Sequence, residues 1–147
     1  MQSSLARSPT SSAARRSPPR RDSALESTVG RSRSRAAATS QALVATGFSY
    51  RARVRSHQGE VVRRLLPEVR DIRCFGSAAL ELSWVAAGRV DAYFERDIKL
   101  WDYAAGSLIA DEAGAVVELP CPENDGLVIA APPAVFDDLR LIVQHAA

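Results

Sequence analysis

Two strand-to-helix junctions carry the residues of this chain that could do chemistry. The first is Phe75-Gly76-Ser77-Ala78-Ala79. Gly76 permits unusual backbone angles and close approach of a ligand. Ser77 can cap the helix that follows, and the N–H groups of that helix's first turn point outward. A corner of this kind suits an anionic or polyhydroxyl ligand, and the same residues also make an ordinary helix start. The second junction runs Glu95-Arg96-Asp97-Ile98-Lys99-Leu100-Trp101-Asp102 and continues into Tyr103-Ala104-Ala105-Gly106. Here Glu95 closes a strand and Asp102 opens a helix. Taken alone, Glu95 reads as a solvated strand end, Asp102 as an N-cap and Trp101 as a core anchor. The small residues Ala104, Ala105 and Gly106 require only that the helix pack closely against a neighbour.

The elements that position these junctions follow from hydrophobic period. Ala42–Thr46 is a short buried-strand pattern closed by Gly47, and Gln58–Leu66 is amphipathic, with Val61, Val62, Leu65 and Leu66 apolar. Pro67 ends that helix. Asp71–Phe75 reads as a strand. Ser77–Ala87 reads as a largely buried helix stopped by Gly88. Val90–Glu95 alternates, with Val90, Ala92 and Phe94 on one side and Asp91, Tyr93 and Glu95 on the other. Asp102–Ala113 is a second buried helix, terminated by Gly114. Strands are expected at Ala115–Leu119 and Leu127–Ala131, and Pro133 leads into an amphipathic helix over Ala134–Gln144. Strand and helix alternate, so the fold class is α/β, or a layered α+β arrangement with a mixed sheet.

Composition divides the chain. Residues 1–55 hold eleven arginines against two acids, Asp22 and Glu26, whereas residues 56–147 hold eight basic residues against fifteen acidic ones. The segment 1–40 is mostly Ser, Arg, Ala and Pro in irregular order and cannot bury enough apolar surface to offset ~1–2 kcal/mol of backbone entropy per residue. It is expected to be a disordered tail preceding a domain over 41–147. Its arginines could meet nucleic acid, but no aromatic side chain interleaves with them to stack on bases, so nucleic acid is not the expected partner. An organellar transit peptide has the same Arg-rich, acid-poor composition. So does a G+C-rich gene read out of frame, since a single lysine, Lys99, stands against eighteen arginines.

Cys74 and Cys121 are far apart, with no histidine at ligand spacing, which argues against a disulfide framework or a zinc site. His57 and His145 are isolated. No apolar run approaches the ~20 residues of a membrane helix, and the N-terminus has no apolar signal core. A cytoplasmic protein without a membrane partner is expected.

The ordered motifs change the weight of the two junctions. Gly76-Ser77-Ala78-Ala79 is followed by Val85-Ala-Ala-Gly-Arg-Val-Asp-Ala-Tyr-Phe-Glu95. Trp101-Asp102-x-Ala-Ala-Gly106 and Glu112-Ala-Gly-Ala115 come next. This order resembles the C-terminal signature of the inositol monophosphatase family, over about Ala42 to Gln144. The resemblance implies an α-β-α-β-α sandwich that hydrolyses phosphomonoesters with bound Mg²⁺. It implies that Asp102 is a metal ligand, that Glu95 bonds a ring hydroxyl of an inositol phosphate, and that Gly76, Ser77 and Ala78 cradle the sugar-like ring. Mg²⁺ takes oxygen ligands, usually one or two carboxylates with phosphate oxygens and waters.

The family's DPxDGT loop and paired glutamates are absent from this sequence, leaving Asp102 as the one metal ligand of the set. The expectation is a chain inactive by itself, the family reaction belonging to the complete enzyme. Its substrate there would be a small phosphomonoester such as inositol monophosphate. A homo-oligomer, or a regulatory or dimerisation module for full-length relatives, is the competing reading.

Overall fold

The computed structural model describes residues 36–144. The Arg/Ser-rich tail therefore lies outside the described residues except for 36–40. There Thr39 starts a single 3-10 turn, Thr39–Gln41, and its hydroxyl donates to Asp138 Oδ2 at 3.2 Å.

Among the described residues five strands and four α-helices follow: β1 (Leu43–Thr46), α1 (Ala52–Leu65), β2 (Asp71–Arg73), α2 (Ala78–Ala86), β3 (Ala92–Glu95), α3 (Leu100–Glu112), β4 (Val116–Glu118), β5 (Val128–Ala131) and α4 (Pro133–Gln144). Every expected strand and helix is present. The main difference in extent is α1, which begins at Ala52 rather than Gln58. The residues that extend it have no apolar period; they are held by side chains reaching back to the preceding loop. Arg55 donates to the carbonyls of Ser49 and Tyr50 at 3.0 and 2.8 Å, and Gln58 Oε1 accepts from the Ser49 N–H at 2.9 Å.

The five strands form one mixed sheet in the order β2-β1-β3-β5-β4. β1 pairs in parallel with both β2 and β3, so three neighbouring strands end at the same edge of the sheet. β5 runs antiparallel to β3, and β4 antiparallel to β5. The fold is α/β, as expected.

Alternation in the strands feeds two cores. Val44, Ala92, Phe94, Ile129 and Ala131 meet Val61 and Leu65 of α1 and Val135, Leu139 and Val143 of α4 on one face. Ala45, Tyr93, Val128 and Ala130 meet Leu82 and Val85 of α2 and Ala110 of α3 on the other. Val90, expected beside Ala92 and Phe94, belongs instead to the Tyr93 side, because it lies in the bend before β3 where the alternation has not begun. The layers are thus α1/α4, sheet, α2/α3.

α2 and α3 touch through Gly106. A Cβ there would lie 2.7 Å from Leu82 Cβ and 3.1 Å from the Ala79 carbonyl oxygen, so only glycine allows this approach. The two helices are not buried all round. Their outer face is open, and Trp101, read from sequence as a core anchor, is 81% exposed.

Candidate active site

The carboxyl ends of parallel strands are where open α/β sheets place their ligand crevices. Gly47 follows β1, the Gly76 corner follows β2, and Glu95 ends β3. Gly47 makes room for the glutamate: a Cβ at Gly47 would sit 2.2 Å from Glu95 Oε2. The same oxygen accepts from the Tyr93 hydroxyl at 2.7 Å. Tyr93 is fully buried and holds one Glu95 oxygen in place. Burial pushes the Glu95 carboxyl above its ordinary range. The Tyr93 hydrogen bond opposes that shift, and the nearby charges of Asp102 and Asp97 add to it. Burial likewise raises the Tyr93 phenol, with Glu95, Glu81 and Asp102 contributing. Glu95 and Asp102 thus both act on the buried Tyr93, and the charge of Asp102 is felt by Glu95.

At the corner Gly76 takes φ +82°, which a side chain would strain. Ser77 caps α2, its Oγ accepting from the Leu80 N–H at 3.4 Å. Ala78 is buried as the first residue of that helix. The amides before the helix are already engaged by a residue that sequence reasoning passed over. Glu81 is fully buried, and its Oε1 accepts from the Phe75 N–H at 2.7 Å and the Gly76 N–H at 3.0 Å. Its other oxygen is buried without a hydrogen bond, and burial raises this carboxyl too. The available signal was a single charge inside the apolar run Ala78-Ala-Leu-Glu-Leu-Ser-Trp-Val-Ala86.

Asp102 does not cap α3. Lys99 is the N-cap, and Asp102 sits at the third helical position, where its Oδ2 accepts from the Lys99 N–H at 2.9 Å. The loop between Glu95 and α3 is pinned by Asp97, which has φ +67°. Asp97 pairs with Arg51 and accepts from the Ser49 hydroxyl at 2.8 Å. Both bonds hold the Asp97 carboxyl below its ordinary range. A cavity of about 740 Å³ lined by Arg51, His57, Arg96, Asp97 and Gln144 adjoins this loop, and none of Glu95, Asp102, Gly76, Ser77 or Ala78 lines it.

A family model described as the inositol monophosphatase family matches residues 24–145, starting upstream of the motifs. The chain belongs to the inositol monophosphatase family. It is 50% identical over 109 residues to Inositol-1-monophosphatase SuhB of Mycobacterium tuberculosis (strain ATCC 25618 / H37Rv), a match covering 72% of this chain and 38% of the relative. It is 46% identical over 76 residues to the protein named Nus factor SuhB in Escherichia coli (strain K12), covering 51% of this chain and 28% of that protein. The solved structure of Mycobacterium tuberculosis SuhB superposes with a TM-score of 0.68 at 48% identity, over 76% of this chain and 44% of that one. The extragenic suppressor protein suhB of Bartonella henselae gives a TM-score of 0.68 at 30% identity, over 78% and 45%. The chain therefore spans less than half the length of these inositol monophosphatase relatives.

Within that span the donors are chemically suited to Mg²⁺ and too few to hold it. Asp102 offers a carboxylate with one oxygen already bonded to backbone, and among the described residues no group of three His, Cys, Asp or Glu could hold a metal ion. No helix among the described residues is long and apolar enough to cross a membrane.

Proposed function

We propose that this chain carries the substrate-side portion of an Mg²⁺-dependent phosphomonoesterase site acting on a polyol phosphate such as an inositol phosphate. Residues from outside the chain would complete the metal cage. The observation that supports this is that Glu95 and the Gly76–Ala78 corner both follow the carboxyl ends of parallel-aligned strands, β3 and β2, that flank β1, with the charge of Asp102 felt by Glu95. Glu95, steadied by Tyr93, accepts a hydrogen bond from a ring hydroxyl. Ser77 and the N–H groups of Ala78 and Ala79, which have no partner among the described residues, face the polar ring. Glu81 holds the corner's shape from behind, so the amides of Phe75 and Gly76 serve geometry rather than substrate. Asp102 contributes one carboxylate to the metal site, and the ion belongs to the completed site.

A covalent fusion tests this reading. Residues 41–147 would be joined to the portion of the Mycobacterium tuberculosis relative that this chain does not match. The fusion is expected to release phosphate from inositol 1-phosphate with Mg²⁺. Asp102→Asn is expected to lower the rate on the order of a thousand-fold, and Glu95→Gln to act mainly on KM. A folded fusion without Mg²⁺-dependent turnover would overturn the proposal.

A further inference from the structure

The cavity of about 740 Å³ lies between the start of α1, the loop after β3 and the end of α4. Its lining combines two kinds of surface. Val54, Val61 and Val143 give it apolar walls, whereas Arg51, Arg53 and Arg96 set three guanidinium groups around it. Only two carboxylates in the lining, Asp97 and Asp125, face those three cations, so one positive charge is in excess before His57 is counted. The three arginines are not engaged alike. Arg51 is neutralised by Asp97, which accepts from both its Nε and its Nη2. Arg53 is exposed at the rim, and among the described residues no ion pair engages it. Arg96 is the unusual one. Its Nη1 donates to the Val143 carbonyl oxygen at 3.1 Å, but its Nε is buried without a hydrogen-bond partner. Asp125 Oδ2 stands 3.6 Å from that nitrogen, beyond hydrogen-bond reach, on a side chain that is 95% exposed. Burial lowers the Arg96 guanidinium below its ordinary range, as expected of a half-buried charge with no bonded counter-ion.

We infer that this cavity binds a small organic monocarboxylate, its carboxylate held by Arg96 and Arg53 and its apolar body resting on Val54 and Val143. Three features select that chemistry. The free Nε edge of a guanidinium offers two parallel N–H groups, which match the two oxygens of a carboxylate. The ligand takes the place beside Nε that the exposed Asp125 side chain now occupies without bonding it. Next, a single excess positive charge is balanced by one negative charge, whereas a phosphate dianion would overshoot it. Finally, the volume suits a small molecule rather than a bare ion, and the valine walls require an apolar body. Binding at this cavity does not depend on the catalytic reading above.

The test is titration of the full, nitrogen-15-labelled chain with sodium benzoate, read by amide chemical shifts. Benzamide serves as the neutral probe of the same shape, and inorganic phosphate as the competing oxyanion. The expected result is saturable shifts with benzoate, concentrated at Arg53, Val54, Arg96, Asp97, Gly126 and Gln144. Benzamide is expected to bind about ten-fold more weakly or less, because it lacks the charge. Arg96→Gln should weaken benzoate binding by about ten-fold or more, through loss of the charge-assisted bonds. That substitution also removes the bond to the Val143 carbonyl. Arg53→Gln, at an exposed position, avoids that disturbance and should weaken binding about three-fold. Asp102→Asn should leave benzoate binding unchanged, which separates this cavity from the candidate active site.

Absence of saturable shifts with benzoate would overturn the inference. So would equal binding of benzamide, since the walls alone would then account for the affinity. Benzoate binding that neither Arg53→Gln nor Arg96→Gln weakens would overturn it as well. Tighter binding of inorganic phosphate than of benzoate at the same amides would replace the carboxylate by a phosphate and defeat the assigned ligand class.

Discussion

The same sheet is covered on its two faces by helices of different kinds. α1 and α4 put Val61, Leu65, Val135, Leu139 and Val143 inward, and they turn Arg53, Arg63, Arg64, Asp137 and Asp138 toward water, apart from a few apolar positions such as Leu141. α2 and α3 also bury one side, through Leu82, Val85 and Ala110. Their other side carries Leu80, Trp101, Leu108 and Ile109 and is just as apolar. An amphipathic helix is finished against solvent, whereas a helix apolar all round implies a layer on each side. The candidate site lies at the edge of the unfinished layer, where α2 and α3 begin. Its incomplete ligand set and its uncovered helices therefore occur together.

Substitutions can break this contrast. Leu139→Ala empties a fully buried site in the finished layer and is expected to cost about 3 kcal/mol in urea unfolding. Gly106→Val forces a side chain between α2 and α3, against Leu82 Cβ and the Ala79 carbonyl. A loss of about 2–3 kcal/mol is expected, with the hydrogen-exchange protection of α1 and α4 retained in the native state. If Gly106→Val proved neutral, the α2–α3 approach would not be as close as described. Glu81→Leu leaves the N–H groups of Phe75 and Gly76 without their acceptor and should cost about 2 kcal/mol. Leu108→Ser changes an exposed position and should shift stability by no more than about 0.5 kcal/mol. It should also reduce binding of an apolar dye. A large stability loss there would mean that the face is already covered.

Glu81 also sharpens the comparison through pH. Its folded-state carboxyl is raised by burial, so the folded chain holds the proton more tightly than the unfolded one. Its contribution is fully present below the ordinary carboxylate range and is lost as pH rises through the raised folded value. Glu95 shifts the same way. The measurement is therefore the difference between wild type and Glu81→Gln across the acid-to-neutral range. Wild type should lose stability relative to Glu81→Gln as pH rises, and a flat difference would contradict the assignment.

Much of this was legible because it is local. Gly88 and Gly114 take positive φ just beyond α2 and α3, Pro133 starts α4, and Ser77 caps α2, each as the residue type requires. The two-residue alternation of β3 separated Ala92 and Phe94 from Tyr93 correctly. The features that escaped depend on partners distant in sequence or on backbone rather than on period. The first turns of α1 are secured by Arg55 and Gln58 reaching back to Ser49. Asp102 bonds the Lys99 amide from the third position of α3 instead of standing at the N-cap. Glu81 looks like a stray charge until the N–H groups it satisfies are located. Trp101 looks like a core residue because indoles usually bury; nothing local reveals that it stands on the open outer face of α3.

The central claim is that this chain holds the Asp102 side of a metal-dependent phosphatase site without the residues that complete it. The most direct measurement is phosphate release by the purified chain alone from inositol 1-phosphate at millimolar Mg²⁺. The account predicts no release above background, because Asp102 has no co-ligands among the described residues. Mg²⁺-dependent turnover that Asp102→Asn abolishes would contradict it.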